Sequence, residues 1–309
     1  MEKNELNKNA RGGTELMQER LHSSLPADLL EKFQIIPSRV RDLDPDKKKI
    51  LWLHDLPGDP ESEHLKDPES RKKFDKIVCV SDWQMQLYNV MSGLPYAETV
   101  VIKNAINPIE IESKPFDGTI RLIYHTTPHR GLEILVPVFE ELSNTHKDIH
   151  LDVYSSFSIY GWEQRDEQYK QLFDRCKAHP QITYHGAVPN DEVREALKKS
   201  HIYAYPSIWP ETSCLSVIEA MSAMNIVVCP NFAALPETCA NFAMMYPWNE
   251  NKNVHAVQFA HTLSYAINLI RQQNGQPSTV LEFQKQYFDY FYGWDRRKGE
   301  WQALLSSLV

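Results

Sequence analysis

The chain has 309 residues, which at about 150 residues per domain predicts two domains, each large enough to bury roughly two thirds of its unfolded-chain surface without disulfides or metals. A composition of 42% hydrophobic and 24% charged residues excludes disordered, collagenous and low-complexity classes. The net charge is 33 − 41 = −8, spread as −4 in residues 1–118 (17 − 21) and −4 in the rest (16 − 20), so no half is basic and bulk nucleic-acid binding is not expected.

Short runs rich in β-branched and apolar residues alternate with segments of helical period, the pattern of parallel α/β architecture. The first part predicts a helix from about Thr14, strands at Phe33–Pro37 and 49–54, a polar helix over 60–74, a strand at 76–81, a helix from Trp83 and a strand at 99–103. The basic runs 47–49 and 71–73 are interleaved with acids and read as solvated surface, with membrane association at most peripheral. Residues 104–118 contain two prolines and no period, and read as a linker. A second series follows: strand 121–124, helix from Leu132, strand Ile149–Tyr154, a loop through 159–162, a helix to about Ala178, strand 181–185, helix 191–199, strand 201–205, a helix from about Ser213, strand 226–229 and further helices. The dense aromatic stretch Phe283, Tyr287, Phe288, Tyr290, Phe291, Trp294 and Trp301 reads as core packing. The expected layout is two Rossmann-like domains facing across a cleft: an N-terminal domain over 1–107, a linker over 108–118, a nucleotide-binding domain over 119–285, and a C-terminal helix over 286–309 packing back on the first domain.

The five cysteines are odd in number and form no C-x-x-C pair, and neither an apolar leader nor an 18-residue apolar run occurs, which predicts a cytoplasmic protein. No metal site is expected: His125 and His129 are four apart, but Pro128 lies between them and breaks the helical face that two ligands would need. Glycine is scarce, 11 residues, about half the usual frequency. Gly12, Gly13, Gly131 and Gly186 therefore mark loops expected to approach a ligand.

The richest segment is Tyr205-Pro-Ser-Ile-Trp-Pro-Glu211-Thr-Ser-Cys-Leu-Ser-Val-Ile-Glu219. Glu211 follows a strand, and Thr212-Ser213 are placed to start the helix that carries Glu219. Eight helical residues rise about 12 Å, whereas paired carboxylates of glycoside hydrolases stand at about 5–9.5 Å. The spacing suits the two ends of an elongated ligand. A nucleotide sugar fits, with Glu219 accepting from ribose hydroxyls and Glu211 from the transferred sugar. The amides of Thr212, Ser213, Cys214 and Leu215 and the positive helix end would face the diphosphate.

Pro-Glu211, seven residues and Glu219-Ala-Met between two strands resembles the E-x7-E signature of the retaining glycosyltransferases of family 4, of the group 1 type, which have the GT-B fold. Other pieces fall in the family's order. Gly12-Gly13-Thr14-Glu15 resembles the N-terminal glycine loop, Val80-Ser81-Asp82-Trp83 the strand-to-helix turn, and Lys103-Asn104-Ala105-Ile106-Asn107 the end of the first domain. Tyr124-His-Thr-Thr-Pro-His-Arg130-Gly131-Leu132 resembles the donor-phosphate loop, and Tyr184-His-Gly186-Ala-Val188 the base loop.

The resemblance implies transfer of a hexose from a nucleotide-diphosphate sugar, UDP-linked, to an acceptor hydroxyl with retention. It implies no cofactor, no metal and no covalent nucleophile, the leaving diphosphate helping to deprotonate the acceptor. The acceptor is a glycan, a lipid-linked glycan or another hydroxyl compound. Catalytic roles map onto Glu211, His54 and Arg130. Donor binding maps onto Gly12, Gly13, Thr126, Arg130, Gly186, Val188, Thr212, Ser213, Cys214, Leu215 and Glu219. The chain departs from the family at residues 1–10, which are polar where relatives have an apolar strand, so that the N-terminal domain reads as reduced. It departs again at Thr212-Ser213 in place of Phe-Gly, at Met224 and Ile226 in place of Gly and Pro, and at Ala105 in place of Gly. A catalytically silent nucleotide-sugar-binding module, and a GT-B phosphorylase or epimerase, are the alternative readings.

Overall fold

In the computed structural model, which describes residues 12–309, the apolar runs of the first part form four parallel strands: β1 (Phe33–Pro37), β2 (Lys48–Leu53), β3 (Lys76–Cys79) and β4 (Thr99–Val101), in the order β1-β2-β3-β4. Ile36 lies opposite Leu51, and Leu53 opposite Cys79, so their side chains build one core with Leu65, Ile77 and Tyr88. The helix Asp82–Ser92 starts where Ser81 accepts a hydrogen bond from the Gln84 amide and ends at Gly93, whose φ of 63° closes the last turn. Whether residues 1–10 form or lack a strand lies outside the described residues.

The chain divides into two compact units, one running to Ile106 and taking in Tyr292–Val309, the other Asn107–Phe291. In the first unit the final helix Trp294–Ser307 is held by Trp301, which meets Trp52 edge to face at 4.9 Å, and by the Ile106 amide, which donates to the Tyr292 carbonyl at 2.8 Å. The aromatic C-terminal stretch is not wholly core. Phe288, Tyr292, Trp294 and Trp301 are buried, but Phe283 and Tyr290 stand 62% and 75% exposed on the helix Thr279–Phe291.

The polar helix expected over 60–74 is two short pieces, a 3-10 turn Pro60–Lys66 and an α-helical turn Pro68–Arg71. Pro68 drives the residue before it out of the helical region, and Asp67 accordingly takes φ −87°, ψ 119° and caps the second piece through the Glu69 amide. The stretch read as a linker has no regular element, yet Ile109 is fully buried with its amide on Ser222 Oγ at 2.9 Å, and Lys114 is buried with Nζ on the Leu197 carbonyl at 2.8 Å.

The second unit holds six parallel strands: β5 (Ile120–His125), β6 (Ile149–Tyr154), β7 (Ile182–Tyr184), β8 (Ile202–Ala204), β9 (Ile226–Pro230) and β10 (Met244–Tyr246). Strand β10 lies where the sequence predicts only helices; it is a Met-Met-Tyr run too short and too poor in β-branched residues to stand out. The order β10-β9-β8-β5-β6-β7 is the doubly wound arrangement with its direction reversing between β5 and β8. Ligands of such sheets sit beyond the carboxyl ends of the strands at that reversal. The loops after β5 and β8 flank that reversal. Among the described residues no helix is long and apolar enough to cross a membrane.

Candidate functional site

The loop after β5 runs through Thr126 into a 3-10 turn Pro128–Arg130 and then into the helix Leu132–Thr145. Gly131 joins the two with φ 123°, and a Cβ there would lie 2.2 Å from the Pro206 carbonyl oxygen in the loop after β8. The two loops thus touch backbone to backbone, which only glycine permits. The loop after β8 stays irregular from Tyr205 to Cys214, and the helix begins at Leu215. Thr212-Ser213 do not start it: Cys214 is the N-cap, with no side-chain cap bond. Because residues 211–214 are not helical, Glu211 and Glu219 are not set apart by the rise of about 12 Å that eight helical residues give.

Glu211 is 5% exposed, and the Ala234 amide donates to its carbonyl at 3.1 Å. Its Oε1 accepts hydrogen bonds from both the Tyr205 hydroxyl and Arg130 Nη1. Arg130 Nε donates to Thr127 Oγ1 at 3.2 Å, and the guanidinium carbon lies 6.0 Å from the Trp209 ring centroid. Arg130 Nη2 and Glu211 Oε2 have no partner among the described residues. One half of each group is fixed by the protein and the other half is open. Burial works against charge on Arg130, but Glu211, Tyr160 and Tyr205 outweigh it and the guanidinium is held more firmly protonated than usual. The Tyr205 hydroxyl is held protonated by burial and by Glu211.

Around the pair, His129 stacks on Phe157 at 5.1 Å and 16° and meets Trp209 edge-on at 4.8 Å and 85°. His125 packs against Tyr203 at 4.6 Å. Burial pushes both imidazoles down to about 3, with Arg130 adding to the effect at His129. Both are neutral, so Arg130 is the cation of this loop. Thr126 is half-buried in the turn that follows β5, and Ser213, Cys214 and Leu215 donate their amides to no other group among the described residues.

Glu219, 3% exposed, is also engaged. Its Oε1 pairs with Arg194 Nη1 at 3.0 Å and its Oε2 accepts from Asn190 Nδ2 at 3.1 Å, while Arg194 Nη2 reaches the carbonyls of Asn107 (2.8 Å) and Pro108 (3.1 Å). Sequence reasoning missed Asn190 and Arg194; their i, i+4 spacing on the helix Asn190–Lys199 was the available signal. Gly186 follows β7 in the left-handed region at φ 70°, next to half-buried Val188. Nearby, Tyr154 and His185 stack at 4.1 Å, and His185 Nε2 is 2.8 Å from Asp152.

The remaining candidates belong to the first unit. Gly12 is the N-cap of the helix Gly13–Ser24 with an ordinary φ of −73°, and Gly13 lies in the helix, so neither glycine meets a positive-φ requirement. His54 follows β2; its amide and that of Asp55 both donate to Ser38 Oγ, at 2.8 and 3.3 Å. Ser38 is buried and holds φ 58°, a left-handed conformation costly for a serine and compensated by the two amides it receives. The His54 ring packs on Trp52 at 4.6 Å, and burial pushes it down to about 3. Gln84 Nε2 and the Tyr88 hydroxyl donate to the Asp55 carbonyl at 2.9 and 3.1 Å. None of these supports was singled out from the sequence. Met224, in the second unit, stands where the family pattern has glycine and still adopts φ 55°, so the left-handed turn persists without the glycine.

His54, His125 and His129, each held down to about 3, titrate near 6.5 in an unfolded chain. Their neutral burial stabilises the fold fully above about pH 6.5, and the contribution is lost as the pH falls toward 3, each histidine steepening the decline by up to about 1.4 kcal/mol per pH unit. Urea unfolding at pH 7, 6 and 5 is expected to show this loss, and His129→Gln to make it shallower; an unchanged slope in the variant would assign the acid sensitivity to other groups.

The model of the family Glycosyl transferases group 1 matches residues 115–269, half of the chain. A curated relative, the phosphatidylinositol N-acetylglucosaminyltransferase gpi3 subunit of Schizosaccharomyces pombe, is 21% identical over 236 residues, covering 75% of this chain and 49% of that protein. The chain thus spans about half the length of this relative. Among solved structures, a glycosyltransferase from Rickettsia africae superposes with a TM-score of 0.69 at 16% identity, over 99% of this chain and 84% of that one. Anabaena Alr3699/HepE in complex with UDP-glucose superposes with a TM-score of 0.62 at 14% identity, over 84% and 72%. These likenesses show the fold: the α/β GT-B class, with Rossmann-like units, that the sequence led one to expect.

Proposed function

The chain belongs to the glycosyl transferases group 1 family, and from that premise we propose that it is a retaining glycosyltransferase moving a hexose from a nucleotide-diphosphate sugar, UDP-linked, to an acceptor hydroxyl. The observation that carries the reading is the half-open pair at the sheet reversal: Arg130 with Nη2 unpartnered and Glu211 with Oε2 unpartnered. A guanidinium beside free amides is suited to phosphate oxygens, and a carboxylate oxygen to sugar hydroxyls.

In this reading Arg130 and the amides of Ser213, Cys214 and Leu215 neutralise the diphosphate and the charge that grows on it as the glycosidic bond breaks, with no metal ion required. Thr126 and Thr212 flank the same anion. Glu211 orients the hexose through Oε2, Tyr205 holding Oε1 still. Glu219, its carboxylate oriented by Arg194 and Asn190, is the group assigned to the ribose. The Gly186–Val188 loop lies along the base. His54 contributes a neutral hydrogen-bonding ring, since burial removes its charge. Retention follows a front-face path in which the leaving diphosphate takes the acceptor proton. The UDP-glucose in the Anabaena structure supports the choice of nucleotide. The five buried, unpaired cysteines support a reducing, cytoplasmic setting.

Nucleotide release from a panel of UDP-, GDP- and ADP-hexoses tests the proposal. Release is expected with a UDP-hexose and is expected to fall about a hundredfold or more in Glu211→Ala. Equal release by wild type and variant would overturn the role of Glu211, and nucleotide binding without release would favour a silent binding module.

A further inference from the structure

Trp209 is the one exposed tryptophan among the seven, at 40%, whereas Trp52, Trp294 and Trp301 are buried in the core of the first unit. It is not a loose side chain. Ser207, fully buried, donates through Oγ to the Trp209 carbonyl at 3.0 Å and accepts from the Trp209 amide at 3.3 Å, so the backbone is fixed from both sides. The indole stands 6.0 Å from the Arg130 guanidinium and 4.8 Å from His129, which in turn stacks on Phe157. Two residues along the chain is Glu211, with its open oxygen.

An aromatic surface held rigid beside one cation and one carboxylate has the composition of a small-ligand site: apolar walls with a few placed polar groups. Of the parts of a nucleotide sugar, the diphosphate is matched by Arg130 and the sugar hydroxyls by Glu211. The feature still without a counterpart is the apolar face of the pyranose, where ring C–H bonds point the same way. We infer that the exposed face of Trp209, backed by His129 and Phe157, is the platform on which the transferred hexose lies, and that this residue sets the affinity for a pyranose seated against the open side of the Arg130–Glu211 pair. The inference rests on the donor reading above and adds to it a residue that decides sugar affinity without touching the nucleotide.

Calorimetric titration with UDP, and separately with UDP-glucose, UDP-galactose and UDP-N-acetylglucosamine, tests it on the wild type, Trp209→Ala and Trp209→Phe. The backbone bonds to Ser207 survive both substitutions, and thermal unfolding verifies that both variants fold. The expected result is that Trp209→Ala weakens the preferred UDP-sugar at least tenfold while UDP stays within twofold, and that Trp209→Phe restores most of the loss. A parallel loss of UDP and UDP-sugar would overturn the proposal and make the indole a mere brace for Arg130. Unchanged affinity for both would overturn it as well. A wild type that binds none of these nucleotides would overturn the donor reading itself, a result recognisable before any variant is measured.

Discussion

Arg130→Ala is expected to lower kcat/KM for the nucleotide-sugar donor by about a thousandfold, the scale seen when a group aimed at developing transition-state charge is removed. The expectation follows from the electrostatics of its loop. His125 and His129 are kept neutral by burial, so no neighbour replaces the guanidinium. Arg130→Lys should recover only part of the activity, because an ammonium loses the fork that binds Thr127 and Glu211 while presenting a free N–H to phosphate. Removing the guanidinium also leaves the Glu211 carboxylate with Tyr205 alone. Breaking such a pair costs about 3 kcal/mol, the low end for buried pairs, because the Arg130 side chain keeps 20% exposure. Urea unfolding separates the two effects, and Arg130→Ala combined with Glu211→Gln is expected to regain stability without regaining activity. Unchanged donor affinity in folded Arg130→Ala would refute the phosphate role.

Gly131→Val is expected to be the most damaging single change to the fold of the second unit. Its φ of 123° is unfavourable for any side chain, and the new Cβ would stand 2.2 Å from the Pro206 carbonyl oxygen, a backbone atom that cannot swing aside. Strain of this kind costs about 1–3 kcal/mol from the dihedral alone, and with the clash a loss of roughly 4 kcal/mol, or about 8–16 °C in Tm, is anticipated. Gly58→Ala is the control, because nothing lies within 4 Å of its added Cβ and its φ is ordinary. If Gly131→Val melts with the wild type, the contact between the loops after β5 and β8 does not hold the site together.

Much of the architecture was readable along the chain because it depends on neighbours in sequence. Alternation and β-branched runs located β1, β2, β3, β5 and β6 to within a residue or two. Loops after strands located Arg130 and Glu211. Local chemistry also explains the misses. A proline at 68 cut one expected helix into two pieces, and a Met-Met-Tyr strand carried too little β signal to be seen.

Sequence by itself determined which groups this protein has to work with: a parallel α/β chain, an arginine ahead of a glycine in a loop that follows a strand, and two glutamates eight apart after a later strand. Only the tertiary structure decided how they are used. Arg130 and Glu211 are 81 residues apart and meet because β5 and β8 are neighbours at the point where the sheet reverses direction. The same long-range packing ties Glu219 to Arg194 and sets Gly131 against Pro206. Propensity and periodicity act over a few residues, whereas the partner of a buried charge is chosen by which strands lie side by side. That choice left Arg130 Nη2 and Glu211 Oε2 open beside an exposed tryptophan.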